Sequence, residues 1–112
     1  MADHHSESCF MEIRQNVVVE TLQMTIDTIL AIDKQHEILP EDRMEYERIL
    51  CISNRLIDYP DSRFLGDWLE EVANMIESLN VKGAHSRGNI RYQAKSLRIV
   101  AKFVLSMSKA PR

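Results

Sequence analysis

The sequence predicts an all-α protein, a compact bundle of about four helices that we expect to be dimeric. Its 112 residues include only three glycines and three prolines, too few for the many turns of an all-β chain. Apolar residues recur at spacings of three and four over long stretches, which is the helical period. The length suits one domain with a single core. We therefore expect residues 1–112 to form a single α-helical domain.

The first helix is expected to begin near Ser6 or Ser8, either of which can cap it, and to end at about Asp33. The residues at the start of the chain, 1–7, are expected to be flexible. Helical spacing relates the residues of the expected buried face, which are Met11, Val18, Leu22, Thr25, Ile26, Ile29, Leu30 and Ile32.

Two features of this helix predict a homodimer. The helix is about 25 residues long, roughly twice the mean, and a long amphipathic helix in a small protein often packs against a second subunit. Its three consecutive valines, 17–19, spread over more than one helix face, so at least one must face something other than its own core. We expect the interface to be formed by Val17, Val18, Leu22 and Ile29.

The second helix is expected to start at Pro40, where proline suits the first helical position and the acids that follow suit the helix dipole. It should end at about Ile57, before the breaking sequence Tyr59-Pro60-Asp61. The residues expected on its buried side are Met44, Ile49, Cys51, Ile52 and Leu56.

The third helix has the clearest pattern. Asp61 or Ser62 can cap it and Asn80 can end it. Three-and-four spacing relates its apolar residues, which are Phe64, Leu65, Trp68, Leu69, Val72, Met75, Ile76 and Leu79. Because Trp68 lies within this regular pattern, we expect it to anchor the core.

The fourth helix is expected over residues 86–108, with Ser86 as its cap. Charge changes sharply at this end of the chain. Residues 1–81 contain 6 basic and 17 acidic side chains, whereas residues 82–112 contain 8 basic side chains and no acid, within a total net charge of −3. Such asymmetry favours a nucleic-acid or other anionic partner for the basic part.

Helical projection places most of these cations on one narrow stripe. At about 100° per residue they occupy an arc of about 80° and extend about 33 Å along the axis. The stripe consists of Arg87, Arg91, Lys95, Arg98, Lys102 and Lys109. We expect the other sides of the helix to be largely embedded in the core, with Tyr92, Ile99 and Phe103 lying further round from the main apolar side.

The stripe predicts a nucleic-acid-binding protein that recognises the backbone without sequence specificity. A straight row of cations can contact several phosphates and release their counterions, and Lys82 and His85 in the preceding loop can reach a phosphate as well. Asn89 and Gln93, which could read bases, project away from the stripe. The expected partner is an RNA duplex or nonspecific DNA, with the RNA duplex favoured.

Two other interpretations remain open at this stage. The stripe can be an ordinary solvated face whose cations pair with acids such as Glu70, Glu71 or Glu77 of the third helix. Alternatively, it can dock on an acidic protein, as in a helical interaction module or small regulatory subunit, or on a membrane surface.

Other functional classes have little support in the sequence. No catalytic set of side chains can be assembled, so we expect no enzymatic activity and no cofactor. His4, His5 and Cys9 lack the paired spacing of a structural zinc site, and the GAHSRG segment lacks the lysine of a P-loop. No export signal or membrane span is recognisable, so we expect a cytoplasmic or nuclear location.

Overall fold

The structure, a computed structural model, describes the backbone of residues 2–61 and 63–108 and the side chains of residues 12, 13, 15–61 and 63–106. Four α-helices form most of it: α1 (Ala2–Lys34), α2 (Arg43–Asp58), α3 (Leu65–Ser78) and α4 (Ala84–Ser108). A short 3-10 turn, Pro40–Asp42, precedes α2. The described residues form no β-strand, which confirms the predicted all-α bundle.

The helices pack in a closed ring, with α1 against α2 and α4, and α3 against α2 and α4. Short connections make successive helices antiparallel. The molecule measures 54 × 20 × 19 Å, and its long dimension matches the roughly 50 Å length of a 33-residue helix such as α1. Among the described residues, no helix combines the length and the apolar character needed to cross a membrane.

Helix α1 begins earlier than predicted. Its first residue is Ala2 rather than Ser6 or Ser8, so residues 2–7 are helical. No proline or glycine interrupts this segment, and a capping residue can equally well lie inside a helix when nothing stops the chain upstream. Met1 lies outside the described residues.

The end of α1 is closed by two backbone hydrogen bonds. The N–H of Glu37 donates to the carbonyl of Ile32 at 3.2 Å, and the N–H of His36 donates to that of Asp33 at 2.8 Å. This is the Schellman arrangement, in which the residue after the cap adopts a left-handed conformation. His36 occupies that position with φ of 59°.

The two loops at this end of the bundle are joined to each other. Ile38 and Val81 form an isolated antiparallel bridge, and the backbone N–H of Asn80 donates to Asp42 Oδ2 at 2.9 Å. The α1–α2 connection therefore supports the α3–α4 connection, which sets where α4 begins. That start is Ala84, and Ser86 is buried within the helix rather than capping it.

The core confirms most of the predicted buried positions, with exceptions on α1, α2 and α3. On α1, Leu30 is 45% exposed rather than buried, and Met11 lies outside the described side chains. Met44 and Cys51 are exposed because they lie on the side of α2 that no neighbouring helix covers. Phe64 and Trp68 are also exposed, and the expectation that Trp68 anchors the core is wrong. Trp68 instead lines a surface cleft of about 260 Å³ together with Ile52, Arg55, Leu56 and Tyr59.

The predicted dimer contacts lie mainly inside the single chain. Val18, Leu22 and Ile29 are fully buried against the chain's own core, and Val17 is partly buried. Fully buried side chains have no surface to present to a second subunit, so these three are not retained as dimer contacts. The physical reason is that this side of α1 packs against α2 and α4 and closes the ring of helices.

Candidate nucleic-acid interface

Helix α4 exposes more than half of its circumference, a wider face than the predicted narrow stripe. Its buried side covers an arc of about 120°. The residues on that side are Ser86, Ile90, Gln93, Ala94, Leu97, Val100, Ala101 and Val104. The exposed face therefore has room for two rows of side chains: one is cationic and the other is apolar.

Two of the predicted stripe cations are engaged within the chain. Arg87 donates through Nη1 to the carbonyls of Val81 and Lys82, at 3.3 and 2.8 Å. Arg98 forms an ion pair with Glu77 of α3 and donates to Asn74 Oδ1 at 2.9 Å. Arg98 thus follows the alternative interpretation, in which the stripe pairs with acids of the third helix.

Three cations remain available, and we call Arg91, Lys95 and Lys102 the basic row. All three are exposed, and in the described part of the chain none has an acid within ion-pair distance. Their directions from the axis fall within about 40° of each other, and they extend over about 16 Å. Arg91 also lines a depression of about 240 Å³ to which Glu77 contributes.

Two further predicted site residues lie at the N-terminal end of α4. Lys82 and His85 are exposed, at the loop and the first turn of the helix. Residue Lys109 lies outside the described residues. Among the described residues, Lys82 and His85 therefore lie toward the N-terminal end of the basic row.

The two amides set aside as base readers have different environments. Gln93 is buried, and its Nε2 donates to Thr25 Oγ1 at 2.8 Å and to the Thr21 carbonyl at 3.2 Å. It therefore fixes α4 against α1 and is not available to a base. Asn89 is exposed beside the α1–α4 groove, away from the basic row.

An exposed apolar row lies beside the basic row and was not predicted as a surface feature. It consists of Tyr92, Ile99 and Phe103, with 66%, 59% and 39% of each residue exposed. The sequence pattern placed these residues away from the main apolar side, and this displacement was the signal that they lie outside the core. Single exposed apolar residues are common, but an aligned row favours a contact surface.

The cluster around Asp33 joins α1 to α2. Arg43 donates to both carboxylate oxygens of Asp33, and Tyr46 Oη donates to Asp33 Oδ2 at 3.1 Å. Hydrogen bonding from Arg43 is the main reason that the pKa of Asp33 lies below its ordinary value, although partial burial opposes the shift. Burial chiefly raises the pKa of Tyr46. Each of these three side chains is hydrogen-bonded within the cluster, so the cluster stabilises the fold.

No group of three or more histidine, cysteine, aspartate or glutamate residues among the described residues is arranged to hold a metal ion. His4, His5 and Cys9 fall outside the described side chains. No family model matches the chain, and no curated protein or solved structure is significantly similar to it.

Proposed function

We propose that this chain is a non-enzymatic nucleic-acid-binding protein that contacts the phosphate backbone through the basic row, with duplex RNA as the favoured ligand. The observation that supports the proposal is the set of three exposed cations that have no acid within ion-pair distance among the described residues, on a helix that contains no acid along its whole length. A soluble surface ordinarily mixes both signs of charge. An anionic ligand that spans several turns of α4 fits this surface.

The geometry favours backbone contact over base reading. Along the axis, Arg91 and Lys95 lie about 6 Å apart and Lys102 about 10 Å further on, so an elongated phosphate chain can contact all three. Arg91 adds the planar donor fork that suits phosphate oxygens. Gln93 is engaged with α1, which leaves few side chains beside the row to read bases.

The number of free cations predicts how strongly salt weakens binding. Because Arg87 and Arg98 already have partners, we expect about three phosphates to be neutralised, with Lys82 and His85 adding at most a small contribution. The logarithm of the association constant should then fall with the logarithm of salt concentration at a slope of about −3. Neutralisation by all five described stripe cations predicts a steeper slope, close to −4.5.

The test is fluorescence anisotropy with duplex RNA, single-stranded RNA and duplex DNA of matched length across a salt series. The variant Arg91→Gln/Lys95→Gln/Lys102→Gln should lose most of the affinity and most of the salt dependence. The control Lys34→Gln/Arg55→Gln/Arg63→Gln removes three exposed cations from other elements. This control changes the net charge by the same amount as the first variant. It should keep the native dependence of the association constant on salt concentration.

Binding that is absent at low salt contradicts the proposal, as does equal weakening by the two triple variants. The second result would mean that net charge alone controls binding. Circular dichroism and thermal unfolding should show both variants folded, because all six side chains are exposed.

A second candidate function is docking on an acidic protein. The apolar row favours it, because phosphates offer nothing to cover Ile99 and Phe103, whereas a protein surface can cover both rows at once. This second function is supported if the native chain binds no nucleic acid but captures one acidic protein. The Ile99→Asp variant should then no longer capture that protein.

A further inference from the structure

Helices α1 and α4 share an exposed face with apolar side chains on both helices. On α1, Ile13 and Met24 are 52% and 53% exposed. Met24 is seven residues from Ala31, and Ile13 is eleven residues from Met24, so all three lie on one arc of the helix. Ala31 lines the α1–α4 groove. We call the exposed side of these two helices the outer face.

The apolar row of α4 lies on the same outer face. Tyr92 follows Asn89 by three residues, and Asn89 lines the same groove as Ala31. Gln93 is hydrogen-bonded to the turn between Thr21 and Thr25. Since the two helices are antiparallel, a rise of about 1.5 Å per residue places Tyr92 level with Met24, and Phe103 level with Ile13. The apolar side chains therefore form a band across both helices.

Opposite charges border this band. Beyond it on α4 lies the basic row. Beyond it on α1 lies Glu20, displaced by about 40° from Met24 in the direction away from α4. Asp27 lies about 60° from Met24 on the same side, accepts a hydrogen bond from Gln23 Nε2 at 3.3 Å and also lines the α1–α4 groove. Both acids are exposed, and neither has an ion pair within the described residues. We call these two the acidic edge.

We infer that the outer face binds the outer face of a second copy of this chain. A two-fold axis parallel to the helices keeps each residue at its height and exchanges left and right. It therefore places apolar band on apolar band, and the acidic edge of each copy beside the basic row of the other. A two-fold axis perpendicular to the helices instead sets like charges together, which disfavours it.

The heights of the charged residues agree with the first arrangement. By the same rise, Lys95 lies within about 2 Å of the height of Glu20, and Arg91 within about 3 Å of the height of Asp27. Two ion pairs, each made twice by the symmetry, can therefore form without sliding one copy along the other. The inference stands apart from nucleic-acid binding, because it depends on the apolar band and on both charged borders.

The size of the face predicts a reversible dimer. The molecule is 20 Å wide, and the band from Ile13 to Ala31 is about 27 Å long, so each copy offers on the order of 500 Å². Interfaces of this size lie at the small end of specific contacts. We expect monomer and dimer to exchange at micromolar concentrations.

Sedimentation equilibrium over a concentration series tests the inference. The average mass of the native protein should rise from 13.0 kDa toward twice that value. Ile99→Asp should abolish the rise, since it places a charge in the apolar band. Lys95→Glu and Glu20→Lys should each weaken association by about tenfold or more, because each sets like charges opposite one another twice.

The decisive measurement mixes the two charge variants. In a heterodimer of Lys95→Glu with Glu20→Lys, both cross-chain contacts join opposite charges, so the mixture should associate more tightly than either variant alone. Glu71→Lys makes the same charge change as Glu20→Lys at an exposed position on α3 and should leave association as in the native chain. A native chain that stays monomeric overturns the inference, as does a mixture that associates no better than its components or association that survives Ile99→Asp.

Discussion

Arg91 and Arg98 lie on nearly the same side of α4 but have different environments. Their directions from the α4 axis differ by only about 20°, so the sequence pattern treats them alike. Arg98 lies opposite Glu77 and Asn74 of α3 and is held by both. Arg91 lies two turns earlier and has no acid within ion-pair distance among the described residues. The difference follows from which α3 residue faces each turn of α4.

Asp33 predicts part of the pH dependence of stability. Its pKa in the folded protein is below the ordinary value of 3.8, because Arg43 hydrogen-bonds to the carboxylate. A carboxyl group with a lowered folded pKa stabilises the fold at pH values above its unfolded pKa, and this contribution is lost as the pH falls through the folded pKa. Asp33→Asn should therefore lower stability at neutral pH and reduce the further loss below about pH 4.

Urea unfolding at a series of pH values measures this effect. Arg43→Gln should flatten the acid side of the curve in the same way, and the double variant should add little, because both changes remove one interaction. An acid side that is equally steep in Asp33→Asn and in the native protein contradicts the prediction.

The end of α1 predicts a stabilising substitution. His36 adopts a left-handed backbone conformation, φ of 59°, which costs a residue with a Cβ about 1–2 kcal/mol. Glycine avoids this cost but loses about 0.5–1 kcal/mol through the entropy of the unfolded chain. His36→Gly should therefore raise the free energy of unfolding by about 0.5–1 kcal/mol, as measured by urea unfolding.

Two controls separate backbone strain from loss of the imidazole. His36→Ala removes the side chain but keeps the Cβ, so it should give no gain. Gln35→Gly places glycine one residue earlier, where φ is not positive, and should lower stability. A gain from His36→Ala equal to that from His36→Gly would mean that the side chain, not the backbone, is responsible.

Helix α4 combines the two surfaces to which the proposals assign partners. Its buried side closes the bundle against α1 and α3, its basic row can contact phosphates, and its apolar row can contact a second copy. The two exposed rows lie within about 120° of each other. A partner large enough to cover one row therefore reaches the other, which links the two proposed interactions.

Nucleic-acid binding and self-association should compete in the protein as a whole, if both proposals hold. The inferred dimer places Arg91 and Lys95 beside the acidic edge of the second copy, where they cannot contact phosphates. Each ligand that binds only the monomer must then weaken dimerisation by mass action. Adding saturating duplex RNA should shift the native protein toward monomers bound to RNA, measured by sedimentation velocity with labelled RNA.

A variant that weakens the dimer without adding a negative charge beside the basic row, Ile99→Ser, should bind RNA more tightly than the native chain at protein concentrations at which the native chain is dimeric. RNA complexes that contain intact dimers would contradict competition while leaving each separate interaction possible. RNA binding without dimers, or dimers without RNA binding, identifies which of the two proposals has failed.

The spacing of residues along the chain was enough to predict four helices, their approximate ends and most of the buried side of α4. This information is local, because helical periodicity relates residues within a few turns of each other. The absence of acids from α4 is likewise a property of the sequence alone. Val18, Leu22 and Ile29 were correctly identified as apolar positions of α1, but their burial in the chain's own core was not distinguishable from burial against a second copy.

Long-range packing decided the character of the exposed surfaces. Whether Arg98 is paired, Gln93 engaged or Phe103 exposed depends on where α3 and α1 lie beside α4. Trp68 is at the surface for the same reason. The apolar residues of a helix can occupy a wider arc of its circumference than the neighbouring helices bury. The periodicity of a single helix shows which side is apolar, and only the arrangement of the other helices shows how much of that side is covered.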